Sequence, residues 1–238
     1  MNEIASSARA PAVKAVLFDL DDTLWAIQPV LVRAETLLFD WLRQNAPRIT
    51  RTHTIASLRE RRMALLESDP VYRIDLWKLR HAALTEVFLE HGEDPGLVEH
   101  AMALFSEARS TVDLFDDVEP GLRRLGQTLT LGSVSNGFAN LDHIGLAGHF
   151  KVSIAAHTFG RAKPDPAIFH AACDALGIAP AHTVYVGDDL ALDVRGAQQA
   201  GLRAVWMNRF ERQLEPGFAP DAICRDLHEL QHWLQQLD

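Results

Sequence analysis

Short apolar runs punctuate this chain, and several of them end in polar turn residues. The runs are Val13 to Leu20, Leu129 to Ser135, Lys151 to Ala155, Thr183 to Val186, Leu202 to Met207 and the brief Ala222 to Cys224. Apolar runs of this length without alternation predict strands covered on both faces, as in a parallel sheet. Between them the apolar period changes to that of a helix. Helices are predicted over Glu119 to Gln127, Asp165 to Leu176, Leu190 to Ala200 and Asp226 to Leu237. Asp165-Pro166 is a favourable helix entry, and Gly177 and Gly201 follow two of the exits. Leu227, Leu230, Trp233, Leu234 and Leu237 share one face of the last helix. Strand and helix alternate from Leu129 onward, which predicts a wound parallel α/β sheet.

Residues 26–115 break this pattern. No convincing strand occurs there, and Val30, Leu31, Ala34, Leu37, Leu38, Trp41 and Leu42 fall at helical spacing. Further helices are predicted over Thr54 to Ser68, Asp75 to His91 and Pro95 to Ser110. Helices with short connections suggest a small bundle. The expected organisation is a mobile tail over 1–12, an α/β core over 13–25 and 116–238, and a helical insert over 26–115. Both ends of the insert return to the sheet, so it is placed to act as a lid.

The chain has 238 residues, enough to bury a core without disulfides or structural metals. Its formal charge of −9 argues against a nucleic-acid or anionic-membrane partner. No apolar run reaches the roughly 20 residues that span a bilayer. The stretch from Met1 to Pro11 lacks the apolar centre of a signal peptide. Cys173 and Cys224 match no metal or disulfide spacing and read as reduced thiols, so a cytoplasmic location is expected; the expected assembly is a monomer or homodimer.

Four clusters carry chemistry. Asp19-Leu20-Asp21-Asp22-Thr23 ends the first strand, and Ser135-Asn136-Gly137 ends the second. Lys163-Pro164-Asp165-Pro166 precedes a helix, and Gly187-Asp188-Asp189, with Asp193 beyond, ends a later strand. Each alone reads as an ordinary turn, helix cap or exposed lysine. Ligands of open α/β sheets bind at the carboxyl ends of strands. Carboxylates converging at that edge repel one another unless a cation intervenes, and hard oxygen donors suit Mg²⁺. A hydroxyl and backbone N–H groups beside them can bind an oxyanion.

The order acid pair, serine, lysine, acid cluster resembles the haloacid dehalogenase superfamily from about Ala15 to Asn208. The resemblance implies a Rossmann-like core with a helical cap and hydrolysis of a small-molecule phosphate ester. By it Asp19 is the nucleophile and Asp21 the general acid and base. Ser135, Asn136 and Lys163 bind phosphate, with Lys163 counted as catalytic. Mg²⁺ is held by the carboxylates of Asp19 and Asp188 and the backbone carbonyl of Asp21. Thr23, Asp189 and Asp193 support these groups. Family members that cleave carbon–halogen bonds generally lack an acid at the Asp21 position. Retention of Asp21 therefore favours phosphate esters over 2-haloacid dehalogenation, whereas a phosphomutase shares all four motifs. Two non-enzymatic readings, a phospho-receiver and a degenerate scaffold, are disfavoured by the long insert and by the complete set of motifs. Candidates for contact with the leaving group are Trp25, Gln28, Arg33, Arg73, Trp77 and Arg80, while Trp41 and Trp77 also suit the bundle core. The segments Phe18 to Glu35, Gly160 to Pro164 and Val186 to Gly201 resemble the YigB-like subgroup, which is associated with phosphatases of FMN and of a ribitylaminouracil phosphate.

Overall fold

A computed structural model describes residues 12–237, so the expected tail lies outside the described residues except for Ala12. Six strands form one sheet: β1 (Ala15–Phe18), β2 (Thr130–Ser135), β3 (Val152–Ala155), β4 (Thr183–Gly187), β5 (Arg203–Met207) and β6 (Ala222–Cys224). All pairings are parallel, in the order β3-β2-β1-β4-β5-β6. The order reverses between β1 and β4, and the crevice at such a reversal is where α/β sheets bind ligands.

The insert contains α1 (Ile27–Asn45), α2 (Pro47–Thr50), α3 (Ile55–Leu66), α4 (Val71–Ile74), α5 (Leu76–Glu90) and α6 (Val98–Ser110). The remaining helices are α7 (Val118–Leu125), α8 (Leu141–Ile144), α9 (Ala156–Phe159), α10 (Pro166–Leu176), α11 (Gly196–Gln199) and α12 (Leu227–Gln235). The first strand is shorter than its apolar run predicts. The run includes Asp19 and Leu20, where the chain already turns towards Asp22, whose φ of 57° is left-handed. Aspartate tolerates that conformation because its side chain bonds locally. Here Asp22 Oδ1 accepts from the Ile27 N–H at 2.9 Å, at the start of α1. The helix expected over Leu190 to Ala200 is also modified. It enters through a π turn over Leu190–Arg195 and becomes α-helical only at α11.

Successive residues of a strand face opposite sides of a sheet, and the packing follows this rule. Val16 and Phe18 pack against Val118 and Leu122 of α7 and Leu227 and Leu230 of α12. Leu17, Tyr185 and Trp206 face the other way, against Ile168, Phe169 and Ala172 of α10 and Ala197 of α11. The helical insert has a third core of its own, built on Leu38, Leu42, Leu84, Phe88, Met102 and Phe105. The two ends of the insert meet at the sheet. Trp25 bridges to both Asp21 and Leu114, and the Phe115 N–H donates to the Leu24 carbonyl at 3.1 Å. Both cysteines are free and buried, as expected. No helix among the described residues is long and apolar enough to cross a membrane.

Candidate active site

The register of the sheet brings the predicted acids together. Phe18 pairs with Val186, and the Asp19 N–H donates to the Val186 carbonyl at 2.8 Å, so Asp19 leaves β1 beside Asp188 at the end of β4. Ser135 ends β2 on the other side of β1. One oxygen from each of Asp19, Asp188 and Asp193 lies within 4.8 Å of the others. The close approach depends on Gly187, because a Cβ there would sit 2.4 Å from Cγ of Asp193.

Lys163 fills the space beneath the carboxylates. Its Nζ donates to Asp19 Oδ1 at 2.5 Å, to Asp193 Oδ1 at 2.7 Å and to the Tyr185 hydroxyl at 2.9 Å. An ammonium has three N–H donors, so all are engaged. The Tyr185 hydroxyl in turn donates to the Val134 carbonyl at 2.9 Å. Burial alone would depress the lysine, but Asp19 and Asp193 outweigh it and hold its pKa well above the usual value. Asn136 fixes the lysine from behind. Its Nδ2 donates to the Lys163 carbonyl at 3.0 Å, and its Oδ1 accepts from the Lys163 N–H at 2.8 Å. Both ends of that amide are therefore occupied by backbone.

The π turn after β4 follows from the same contacts. Asp189 caps it by accepting from Ala191 N at 2.8 Å and Leu192 N at 2.7 Å. Asp193 turns inward, where Oδ2 accepts from the Asp189 N–H at 2.9 Å while Oδ1 meets the lysine. Such turns often mark functional positions.

Burial pushes the Asp19 carboxyl well above the ordinary range, opposed by Lys163 and reinforced by Asp193, Asp188 and Asp21. Asp188 is pushed up to about 7, first by burial and then by Asp193, against the pull of Arg212. Arg212 Nη2 donates to the Asp188 carbonyl at 2.6 Å and to Oδ2 at 3.0 Å. Carboxylates gathered at this cost, with oxygen donors only, fit a hard divalent cation. Asp193 lies in the same cluster as the expected Asp19 and Asp188 carboxylates, but both its oxygens already accept from Lys163 and the Asp189 N–H.

Asp21 points elsewhere. Trp25 Nε1 donates to its Oδ1 at 2.9 Å, and Arg109 Nη2 lies 2.7 Å from Oδ1 and 2.5 Å from Oδ2. Thr23 reaches Asp19 Oδ2 at 3.4 Å. Ser135 Oγ accepts from the Gly137 N–H at 2.9 Å, which leaves the hydroxyl proton for another acceptor.

The leaving-group candidates scatter. Trp25 is fully buried, its ring in the core beneath the sheet edge and its N–H spent on Asp21. Arg80 is also buried, 3.7 Å from Glu35, with its guanidinium 3.5 Å from the Phe105 ring centroid. Neither lies at a mouth. The apolar ring gains from burial, whereas the Arg80 guanidinium is destabilised by it and is held inside by Glu35. Arg33 bonds the Thr111 carbonyl, Arg73 pairs with Glu67 at the surface at 2.7 Å, and Gln28 is exposed. Trp41 and Trp77 pack, partly buried, against the core of the insert. Trp77 also lines a cavity of about 380 Å³ with Phe138, His143 and His157, between the insert and the loops of the sheet.

Sequence reasoning missed Tyr185, Arg109 and Arg212. A hydroxyl-bearing aromatic within the aliphatic Thr183–Gly187 strand was one available signal. Arg109 lies four residues after Phe105 on the buried stripe of α6, a position where a charge is unusual.

Comparison with known proteins gives a consistent result. The family model of haloacid dehalogenase-like hydrolases matches residues 13–201. The 5-amino-6-(5-phospho-D-ribitylamino)uracil phosphatase YigB of Escherichia coli (strain K12) is 30% identical over 199 residues, covering 82% of this chain and 83% of its own. A phosphoserine phosphatase of Thermus thermophilus is 35% identical over 159 residues, 63% of each chain. Among solved structures, a 2-haloacid dehalogenase from Pseudomonas syringae pv. Tomato DC3000 is 36% identical with a TM-score of 0.89, covering 95% of this chain and all of its own.

Proposed function

The chain belongs to the haloacid dehalogenase-like hydrolase family, and on that premise we propose that it is a Mg²⁺-dependent phosphatase of small phosphomonoesters. We read 26–115 as a helical cap over a catalytic core of 13–25 and 116–238. A separate hydrophobic core within the insert supports that division.

The observation that carries the reading is Asp21. It stands two residues beyond Asp19, its carboxylate fixed by Trp25 and Arg109. Cleavage of a carbon–halogen bond releases a stable halide and needs no acid there. An ester alkoxide needs a proton, and a fixed carboxyl can supply it. In the first step an Asp19 carboxylate oxygen attacks phosphorus, the ester P–O bond breaks, and the leaving oxygen takes the proton of Asp21. In the second step water attacks the aspartyl-phosphate, Asp21 takes a proton from that water, and inorganic phosphate departs from Asp19. Lys163 holds the Asp19 carboxylate in place through Oδ1. Ser135 and the backbone N–H groups after it bind phosphate oxygens, while Asn136 serves by fixing the backbone of Lys163. The Asp19 and Asp188 carboxylates and the Asp21 carbonyl would hold Mg²⁺, with Asp189 and Asp193 supporting. When bound, the ion would neutralise phosphate charge and keep the Asp19 carboxylate ionised for attack.

The similarity to YigB supports trying the ribitylaminouracil phosphate first, and the resemblance of the motif segments to the YigB-like subgroup adds FMN. Dehalogenation is the second reading, favoured by the 36% identity to a 2-haloacid dehalogenase. The test is a panel of phosphate esters with Mg²⁺, read as phosphate release, beside 2-haloacids read as halide release. Phosphate release that is lost on chelation is expected. Halide release without phosphate release would replace this reading with the second.

A further inference from the structure

Arg109 leaves the last turn of α6 and crosses to the edge of the sheet. Its side chain is 4% exposed, and a buried guanidinium is tolerated only beside a compensating partner. Its ion-pair partner is Asp21, both of whose oxygens contact Nη2. Its Nη1 is buried and has no partner among the described residues, so Asp21 alone fixes the guanidinium. The oxyanion loop touches the same spot. A Cβ on Gly137 would stand 2.9 Å from Asp21 Oδ2 and 3.3 Å from Arg109 Nη2. Beside it the Ser110 hydroxyl accepts from the Asn140 N–H at 3.2 Å, a second tie between α6 and the loop after β2.

The two donors on Asp21 come from opposite sides. Trp25 belongs to the chain just leaving the sheet, whereas Arg109 belongs to the end of the insert. A carboxyl on a single-bonded arm must be held within hydrogen-bond reach of the ester oxygen to deliver its proton. Trp25 contacts one oxygen only, and Arg109 contacts both.

We propose that Arg109 is a positioning residue for proton delivery by Asp21. Through it the seating of the helical insert on the sheet sets the rate at which the leaving group departs. The inference rests on the phosphatase reading above.

The test compares two esters in Arg109→Met and Arg109→Lys. An alkyl phosphate leaves as an alkoxide and needs a proton, whereas a dinitrophenyl phosphate leaves as a stable anion and does not. The quantity to compare is kcat/KM, which covers only the steps up to loss of the leaving group. For the alkyl ester Arg109→Met should fall about 100-fold, the scale of a misplaced reacting group. For the dinitrophenyl ester it should change by less than about threefold, because proton transfer contributes little there. Arg109→Lys keeps the charge and should recover part of the alkyl activity. It also carries the comparison if circular dichroism shows the methionine variant unfolded. Equal losses on both esters, or no loss on either, would overturn the proposal. Wild-type protein that releases phosphate from neither ester would sink the phosphatase reading itself, and the wild-type control alone reveals that.

Discussion

Asp188 shows how the site's charge is balanced. In the unfolded chain its carboxyl titrates near 3.8, and in the metal-free fold near 7. Between these values the folded protein keeps a proton that the unfolded chain has lost. The stabilisation is full below the lower value and disappears as pH rises through the upper one. A displacement of about three pH units corresponds to at most about 4 kcal/mol. Metal-free protein should therefore lose stability from pH 5 to pH 8 relative to Asp188→Asn, followed by denaturant unfolding. Mg²⁺ should restore the wild type at the higher pH, and parallel curves for the two proteins would contradict the assignment. Asp19, Asp21, Ser135 and Asp188 were legible in the sequence because each stands at the end of an apolar run, and strand ends converge. Tyr185 and Arg212 were not, since their roles depend on which strand lies beside which and on how one loop folds back. The burial of Trp25 and Arg80 was equally hidden, because an aromatic or a basic residue at helical spacing reads the same on either face.

At the level of elements, α3 stands apart from the rest of the insert. It contains no buried residue, and its sequence has no apolar face to place it. Ion pairs fasten it, beside the partly buried Leu58 that packs against the core of the insert. Arg59 and Arg62 both reach Glu35 of α1, the latter at 3.0 Å, and Arg61 reaches Glu90 of α5 at 2.6 Å. Glu35 is 6% exposed and faces Arg80 as well. Burial would raise its carboxyl, but Arg59, Arg62 and Arg80 hold it below the ordinary value. Removing one partner of a buried pair leaves uncompensated charge and typically costs about 3 kcal/mol or more. Glu35→Gln should lower stability by that amount in denaturant unfolding, with amide exchange rising first along α3. An unchanged midpoint would show that the packing of Leu58 holds the helix without the ion pairs. The helix itself was legible over Thr54 to Ser68, but its docking was not, because ion pairs leave no periodic trace.

For the whole molecule, the wound sheet and, apart from α3, the helical insert were readable from periodicity, since each buries a stripe or run that the sequence displays. What periodicity could not supply is the joint. Trp25, Leu114, Arg109 and Asp21 close it, and they come from segments 88 residues apart in the case of the ion pair. The joint sets the carboxyl of Asp21 beside the loop that follows Ser135, with the Asp19 cluster at the neighbouring strand end. In the proposed reaction Asp19 carries the phosphoryl group. The most direct measurement is acid quenching during turnover of a phosphate ester, followed by peptide mapping by mass spectrometry. A phosphoryl group on Asp19, absent from Asp19→Asn, is the expected result. Phosphate release with no labelled aspartate, or with the label on Ser135, would contradict it.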